Sequence, residues 1–228
     1  MFMTIAHRGD PTVHRENTMP SFRSAVAKGA NTLEFDLRLT RDGQIALLHD
    51  ASLQRLWGVE AQLADLTLAE LRAVDGQGYE LPVFAELIDE FDDVTFLVDL
   101  KTDDVVAPAV DALRKRPGAF ERSIFVAARR GGREALIKLR QDEPDAIIGL
   151  DWTEENPVPA ELIDAMKPQY FGPRWAVADA AEVPRMRAEG YRVWVGPLAE
   201  PAQVADAVAY GVDGIVADDI AELLSLVR

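Results

Sequence analysis

From residue 94 onward, short runs rich in β-branched and aromatic residues alternate with longer segments whose apolar residues recur at helical spacing. The strands predicted in this part of the chain cover residues 94–99, 123–127, 146–151, 169–172, 191–196 and 213–217. The helices predicted after them cover residues 103–114, 133–141, 159–166, 178–189, 201–210 and 219–227. Because alternating strands and helices are typical of α/β proteins, this pattern predicts a parallel sheet.

Two further strand and helix units are predicted before this region. A short apolar strand covers residues 4–7, and a helix with Thr18 as its N-terminal cap follows over residues 19–28. The second strand covers residues 32–40 and continues through a turn into a returning strand over residues 44–49. The second unit is therefore expected to extend into a hairpin.

With these units the sequence predicts eight strands and eight helices, the number that closes a (β/α)8 barrel, or TIM barrel. A doubly wound open sheet is the alternative, but no Gly-x-Gly-x-x-Gly motif follows the first strand. The segment over about residues 50–82 is polar and irregular, with a capping box predicted at Thr67 and Glu70, and a helix is predicted over residues 82–91. We expect a single α/β domain over residues 1–228, with this segment as a small insertion after the second strand.

The predicted strand over residues 32–40 alternates strictly between apolar and polar residues. Its apolar face carries Leu33, Phe35, Leu37 and Leu39, and its polar face carries Glu34, Asp36, Arg38 and Thr40. The pattern fits an antiparallel strand with a wet polar face, and it also fits a barrel strand whose apolar face packs beneath helices. In a barrel, Glu34 and Asp36 point inward, where two neighbouring carboxylates resist ionisation unless a positive charge lies between them. A divalent cation would supply that charge.

The composition narrows the classes of partner. The chain has 228 residues, of which 48% are hydrophobic, which is enough to bury a full core. A net charge of −15 and an isoelectric point near 4.6 argue against nucleic acid and anionic membranes, because both bind clustered Lys and Arg. The absence of cysteine excludes thiolate metal sites and a cysteine nucleophile. The sequence shows no signal-peptide pattern and no apolar run of ~18 residues, so we expect a cytoplasmic protein with a small-molecule partner.

Polar residues gather at the C-terminal ends of the predicted strands, where the active sites of parallel barrels lie. These residues are His7, Arg8, Glu34, Asp36, His49, Asp50, Asp99 and Lys101. Glu34, Asp36 and Asp99 form an all-oxygen ligand set that suits Mg²⁺ or Ca²⁺. The two histidines are suited to proton transfer near neutral pH, and Arg8 and Lys101 to binding an anion. Taken alone, each histidine could be an ordinary surface residue, and each charged residue could be part of a simple ion pair. The convergence of all of them at one rim favours an active site.

Several of these segments resemble the glycerophosphodiester phosphodiesterase family. The matching segments are His7-Arg8-Gly9, Glu16-Asn17-Thr18, Leu33-Glu34-Phe35-Asp36, His49-Asp50, Asp99-Leu100-Lys101 and Val193-Trp194. The resemblance runs nearly end to end and implies a metal-dependent TIM barrel that hydrolyses glycerophosphodiesters to sn-glycerol 3-phosphate and an alcohol. It implies one divalent cation, Mg²⁺ or Ca²⁺. A related lyase that releases a cyclic phosphate and a catalytically weak phosphate-binding barrel are the alternatives.

The resemblance also implies roles for individual residues. Residues His7 and His49 would act as the acid and the base, with a neighbouring hydroxyl of the substrate as the attacking group. The other implied roles are metal binding by Glu34, Asp36 and Asp99, substrate or phosphate binding by Arg8, Lys101 and Trp194, and a place bordering the site for Glu16 and Asn17.

Three segments depart from the family's pattern. Asp99 stands where the family usually has Glu, so we expect the cation to lie closer to the third barrel strand or to take a water in the gap. Residues 194–197 read Trp-Val-Gly-Pro where Trp-Thr-Val-Asn is usual, and residues 127–132 replace a usual Ser-Phe. Arg129 and Arg130 could contact an anionic head group or form a solvated basic turn. These departures affect the expected substrate more than the expected reaction.

Overall fold

The computed structural model describes residues 1–127, 132–152 and 158–227, in which strands alternate with helices as the sequence predicts. The strands are β1 (Met3–His7), β2 (Thr32–Leu39), β3 (Ile45–Leu47), β4 (Thr95–Leu100), β5 (Ser123–Val126), β6 (Ile147–Trp152), β7 (Tyr170–Pro173), β8 (Arg192–Val195) and β9 (Gly214–Ala217). The α-helices are α1 (Met19–Lys28), α2 (Gln54–Trp57), α3 (Leu68–Arg72), α4 (Phe84–Glu90), α5 (Val106–Arg114), α6 (Gly132–Asp142), α7 (Ala160–Met166), α8 (Glu182–Ala188), α9 (Pro201–Tyr210) and α10 (Ile220–Leu226). Two short 3₁₀ turns cover Leu63–Asp65 and Asp103–Val105.

Within the described residues, eight strands form a closed parallel barrel. Their order around the barrel is β1, β2, β4, β5, β6, β7, β8 and β9, and β9 pairs with β1 to close the ring. β3 stands outside the ring, because it pairs antiparallel with β2 and places Leu47 opposite Leu37, as expected for the predicted hairpin. The prediction of a TIM barrel is confirmed, and the alternative of an open sheet is wrong.

The two faces of β2 lie in different surroundings. On its apolar face, Phe35 is fully buried, with its ring centroid 6.2 Å from that of Phe22 on α1 and 5.5 Å from that of Phe84 on α4. On its polar face, Glu34 and Asp36 are buried inside the barrel. The prediction that the apolar face packs beneath helices is therefore confirmed, and the alternative of a wet polar face is wrong.

Beneath the polar rim, the inside of the barrel is filled by a separate apolar cluster. Its members are Met3, Ile5, Leu97, Ile124, Val126, Tyr170, Trp194 and Val216. These side chains come from six of the barrel strands and form a floor under the mouth of the barrel. The barrel is thus a packed core rather than a pore, and polar chemistry is confined to the C-terminal ends of its strands.

The insertion over residues 50–82 has its own small core. Its buried apolar side chains are Leu53, Trp57, Leu63, Leu71 and Leu81, which pack with Ala46 and Leu48 of the hairpin. Arg15, from the loop after β1, joins the insertion to the barrel. Its guanidinium carbon lies 4.5 Å from the ring centroid of Trp57 and 5.0 Å from that of Tyr79. The predicted capping box at Thr67 and Glu70 is confirmed at the start of α3.

Some predicted details are wrong. Thr18 stands at the N-terminal cap of α1, but its hydroxyl donates to the carbonyl oxygen of Arg15 at 2.6 Å and does not cap the helix. The helix predicted over residues 178–189 begins later, at Glu182, because residues 174–178 form hydrogen-bonded turns. In the described part of the chain, no helix combines the length and the apolar character needed to cross a membrane.

The close packing of Gly149 under Trp194 generates a prediction about stability. A Cβ atom at Gly149 would lie 2.2 Å from Cη2 of the Trp194 indole and 2.9 Å from Cγ1 of Val126. Gly149→Ala should therefore lower the free energy of unfolding by ~1–3 kcal/mol, the usual cost of overpacking a core. Denaturant unfolding measures the effect. In a Trp194→Phe background, where the distal ring is absent, most of the loss should disappear; an equal loss in both backgrounds would contradict the packing argument.

Candidate active site

Three buried carboxylates converge at the mouth of the barrel. Glu34 and Asp36 lie on β2, and Asp99 lies on β4 directly opposite Asp36 in the strand register. One carboxylate oxygen from each residue lies within 4.8 Å of the others. The structure therefore brings together the three residues that the sequence predicts as metal ligands, including the Asp that replaces the family's usual Glu.

Two cationic side chains partly compensate this negative charge. Nζ of Lys101 lies 2.7 Å from Oδ1 of Asp36 and forms an ion pair with Asp99, while Nε of Arg8 lies 3.2 Å from Oδ2 of Asp36. Although burial opposes it, the charges of Lys101 and Arg8 hold the pKa of the Asp36 carboxyl below its ordinary value. Burial and the neighbouring charge of Asp36 raise the pKa of Glu34 to about 8. The protein's own cations thus leave one carboxyl of the cluster uncompensated.

The loop after β1 holds this arrangement in place through unusual backbone conformations. Arg8 and Asn17 both adopt the left-handed conformation, with φ of 58° and 55°. Such non-glycine residues cost about 1–3 kcal/mol each and are concentrated at functional sites. In this conformation the backbone N–H of Arg8 donates to Oε2 of Glu34 at 3.0 Å, and Nδ2 of Asn17 donates to Oδ2 of Asp36 at 2.7 Å. Asn17 therefore fixes a carboxylate directly, which is more than the bordering position that the sequence predicts.

Each of the two predicted catalytic histidines is hydrogen-bonded to an aspartate through Nδ1. The distance is 2.7 Å from His7 to Oδ1 of Asp218 and 2.7 Å from His49 to Oδ1 of Asp50. Burial lowers the pKa of His7, but the hydrogen bond with Asp218 and the charge of Glu34 outweigh it, so the pKa of His7 is raised. With Nδ1 engaged by a carboxylate, Nε2 is the nitrogen left for a substrate in both histidines.

Arg55, at α2 in the insertion, links two parts of the site. Its guanidinium lies 2.5 Å from Oδ2 of Asp50 and 2.7 Å from Oε1 of Glu16, and Glu16 in turn accepts a hydrogen bond from Arg8 at 2.9 Å. The hydrogen bond from Arg55 holds the pKa of Asp50 at about 2, so this carboxyl is ionised beside His49. The insertion thus supports both a predicted phosphate-binding residue and a predicted catalytic histidine.

These residues surround a cavity of about 280 Å³. Of the sequence-predicted site residues, the cavity is lined by His7, Arg8, Glu34, His49, Asp99, Lys101 and Trp194. Asp36, Glu16 and Asn17 lie behind this lining and act through hydrogen bonds and ion pairs. A larger groove of about 660 Å³ lies elsewhere, beside α1 and α4, and contains none of these residues. Its charged side chains Arg23, Arg72, Glu80, Glu86, Asp89 and Glu90 all form ion pairs.

Sequence reasoning missed three residues that the structure brings to this rim. Asp218 follows β9, and Arg174 follows β7 and lines the cavity, so both stand at the C-terminal ends of barrel strands. A polar residue directly after a predicted barrel strand is a candidate for the active site, so the sequence could have indicated both. Arg55 carries no such signal, because its role depends on how the insertion folds. The suggestion that Arg129 and Arg130 contact a head group falls outside the described residues.

The carboxylate cluster fits a hard divalent cation. All three side chains offer oxygen atoms, the donors that Mg²⁺ and Ca²⁺ prefer. Oδ1 of Asp36 is buried and is compensated in the described residues by the Lys101 ammonium, whose Nζ lies 2.7 Å away. A divalent cation bound to this oxygen would compensate its charge in place of that ammonium. Glu34, Asp36 and Asp99 are therefore the residues that would hold the cation.

The raised pKa of Glu34 generates a prediction about metal binding. At about pH 7 this carboxyl is mostly protonated, and a bound cation requires it ionised, so binding should release close to one proton. Proton release should disappear above about pH 9, where the carboxyl has already ionised. Calorimetric titration with Ca²⁺ in two buffers of different ionisation enthalpy measures the protons released. Binding at pH 7 without proton release, or unchanged release in Glu34→Gln, would contradict the prediction.

Comparison with known proteins shows the family of this chain. The model of the glycerophosphoryl diester phosphodiesterase family matches residues 7–222. A glycerophosphodiester phosphodiesterase of Caldanaerobacter subterraneus subsp. tengcongensis is 26% identical over 241 aligned residues, covering 99% of this chain and 98% of that protein. A mouse lysophospholipase D is 33% identical over 116 residues, covering 45% of this chain and 37% of that protein.

Solved structures share the fold. An Oleispira antarctica phosphodiesterase, solved in complex with the product sn-glycerol-3-phosphate, superimposes with a TM-score of 0.89 at 21% identity, covering 99% of this chain and 96% of that chain. A glycerophosphodiester phosphodiesterase of Thermotoga maritima gives a TM-score of 0.84 at 23% identity, covering 99% and 98%. Because the family model matches nearly the whole length, this chain belongs to the glycerophosphoryl diester phosphodiesterase family.

Proposed function

We propose that this protein is a divalent-metal-dependent hydrolase that cleaves glycerophosphodiesters to sn-glycerol 3-phosphate and an alcohol. The observation that carries the proposal is the pair of histidines, each held by an aspartate, lining one cavity with two members of a three-carboxylate cluster. A protein that only binds phosphate needs cations, but it has no need for two oriented proton carriers. The curated relative of similar length and the product bound in the Oleispira antarctica structure support the same reaction.

In this proposal the inner end of the cavity binds the phosphate. A cation held by Glu34, Asp36 and Asp99 would offset the negative charge that develops on the phosphoryl oxygens. Arg8 and Lys101 line the same part of the cavity, and their remaining N–H groups can donate to those oxygens. The all-oxygen donor set suits a hard cation, Mg²⁺ or Ca²⁺.

The two histidines transfer protons at either end of the scissile bond. Nε2 of one accepts the proton of the attacking hydroxyl, a neighbouring hydroxyl of the substrate, and Nε2 of the other donates to the departing alkoxide, which leaves as the alcohol while a cyclic phosphate forms. Water then opens the cyclic phosphate with the two proton transfers reversed, and sn-glycerol 3-phosphate is released. Asp218 and Asp50 hold the rings so that Nε2 faces the substrate and stabilise the charged ring in each case. We assign His7 as the base, because it stands next to the phosphate-binding Arg8, and His49 as the acid.

The remaining predicted residues support this arrangement. Glu16 orients Arg8, Asn17 orients Asp36, and the indole of Trp194 belongs to the apolar floor of the cavity. An apolar floor excludes water from beneath the charged groups, which strengthens their interaction with the substrate.

The experiment that tests the function is a screen of glycerophosphodiesters with an enzymatic assay for sn-glycerol 3-phosphate. Chelation should abolish turnover, and Mg²⁺ or Ca²⁺ should restore it, because the buried carboxylates need a cation to act on an anionic substrate. Phosphorus NMR of the products separates a monoester from an accumulating cyclic phosphate, which would indicate the lyase. Full turnover after exhaustive chelation would exclude the metal, and no turnover of any diester would leave only a binding protein.

The position of Arg55 between Glu16 and Asp50 generates a prediction about activity. Arg55→Ala should lower kcat/KM by roughly 10- to 100-fold, the usual cost of losing a residue that supports catalytic groups, because Glu16 and Asp50 lose their shared cation. Steady-state kinetics on one glycerophosphodiester measures the change. Arg23→Ala is the control, since it removes an arginine of similar exposure that is bonded to one carboxylate, Glu90, at 2.6 Å outside the site. Equal kinetics for the two variants would show that Arg55 supports neither group.

A further prediction distinguishes the roles of the two histidines as acid and base. General acid catalysis is worth ~100- to 10,000-fold with a poor leaving group and much less with a good one. His49→Ala should therefore lose far more activity on an alkyl diester than on a nitrophenyl diester that keeps the internal hydroxyl. His7→Ala should lose similar amounts on both substrates, because the base is needed in either case.

The comparison of kcat/KM for the two esters gives the assignment directly. Recovery of His7→Ala on the nitrophenyl ester, with none for His49→Ala, would reverse the roles of acid and base. Near wild-type activity of both variants on the alkyl ester would mean that these histidines do not transfer the protons.

A further inference from the structure

Arg174 lies at the rim of the active-site cavity, on the side away from the carboxylate cluster. It follows β7 directly and lines the cavity together with His7, His49 and Lys101. β7 is four strands from β2 in either direction around the ring of eight. Arg174 therefore faces the mouth of the barrel from the side opposite Glu34.

The side chain of Arg174 is exposed and makes no hydrogen bond or ion pair with any residue in the described ranges. Its backbone carbonyl accepts hydrogen bonds from the turn that follows, so its backbone position is fixed. The two other arginine or lysine residues of the lining, Arg8 and Lys101, are both engaged by carboxylates. Among the described lining residues, Arg174 is the cationic side chain left for a ligand.

The charges at the inner end of the cavity are balanced without Arg174. Three carboxylates, the side chains of Arg8 and Lys101 and one divalent cation together carry a single positive charge, which the phosphodiester anion of the proposed substrate would neutralise. The two histidines of the lining are each paired through Nδ1 with an aspartate. The other described lining residues carry no charge: Leu97, Val126, Gly172, Trp194, Gly196, Pro197 and Val216. Among the described residues that line the cavity, the only carboxylates are Glu34 and Asp99 of the inner cluster, so none is left at the outer rim to pair with Arg174.

We propose that Arg174 binds an anionic group on the leaving alcohol of the substrate. The preferred substrates are then glycerophosphodiesters whose alcohol carries a carboxylate or a phosphate. The glycerol half of the substrate is uncharged and common to all members of the class, so a guanidinium selects among them only through the alcohol. This inference rests on the proposed function and names the substrate class for the same site.

Two substrates that differ by one carboxylate test the proposal. Glycerophosphoserine and glycerophosphoethanolamine share the phosphodiester and the amine, so the ratio of their kcat/KM values reports on the carboxylate alone. The wild-type ratio should favour the serine compound roughly five- to thirty-fold, the range of one charge-assisted contact. Arg174→Ala should reduce this ratio to near one, and Arg174→Glu should reverse it.

Arg187→Ala is the control, because Arg187 is an exposed arginine on α8 that pairs with Asp213 and does not line the cavity. It should keep the wild-type ratio. An unchanged ratio in Arg174→Ala would overturn the proposal. A loss that is equal for both substrates would also overturn it, because Arg174 would then contact the half of the substrate that they share.

A failure of the proposed function has a different signature. If wild-type protein hydrolyses neither these two compounds nor any other diester of the screen, the reaction assignment fails, and calorimetric titration of the same two compounds into the metal-loaded protein tests Arg174 by binding alone. Tighter binding of the serine compound, lost in Arg174→Ala, would support the inference. Equal binding of the two compounds would overturn it.

Discussion

The burial of three carboxylates at one point is the constraint on which the rest of this site depends. Like charges in a low-dielectric interior repel, and removing them from water costs several kcal/mol per ion unless cations compensate them. Glu34, Asp36 and Asp99 meet within 4.8 Å. Lys101 and Arg8 supply two positive charges against these three carboxylates, and burial together with the charge of Asp36 raises the pKa of Glu34. A divalent cation would complete the balance and leave one positive charge for the phosphodiester of the proposed reaction.

The barrel makes this concentration of charge possible. The alternation of β2 places its apolar face under helices and its acidic face inside the ring, so the stability of the core and the position of the ligands come from one strand. In the loop after β1, Arg8 and Asn17 adopt left-handed backbone conformations and donate hydrogen bonds to the carboxylates. The insertion adds Arg55, which ties the phosphate side of the site to the His49 side.

The sequence predicts the barrel and the central residues because both depend on local patterns. The alternation of β2 places Glu34 and Asp36 on the face opposite the apolar residues. A residue at the C-terminal end of a parallel barrel strand lies at the rim, whatever the position of that strand in the ring. The partners of those residues depend on tertiary structure. Asp218 contacts His7 across 211 positions of sequence, and no short-range pattern joins them. Thr18 is a residue type that often caps helices, but its hydroxyl donates to the carbonyl oxygen of Arg15 instead.

The central claim is that the carboxylate cluster is a metal site whose charge the protein's own cations only partly replace. A crystal structure of the protein soaked with Mn²⁺, with anomalous data collected at the manganese edge, tests it most directly. The account predicts one strong anomalous peak bounded by Glu34, Asp36 and Asp99, with the Lys101 ammonium displaced from its contacts with the two aspartates. Lys101 still bridging Asp36 and Asp99, with no manganese peak among the three carboxylates, would contradict it.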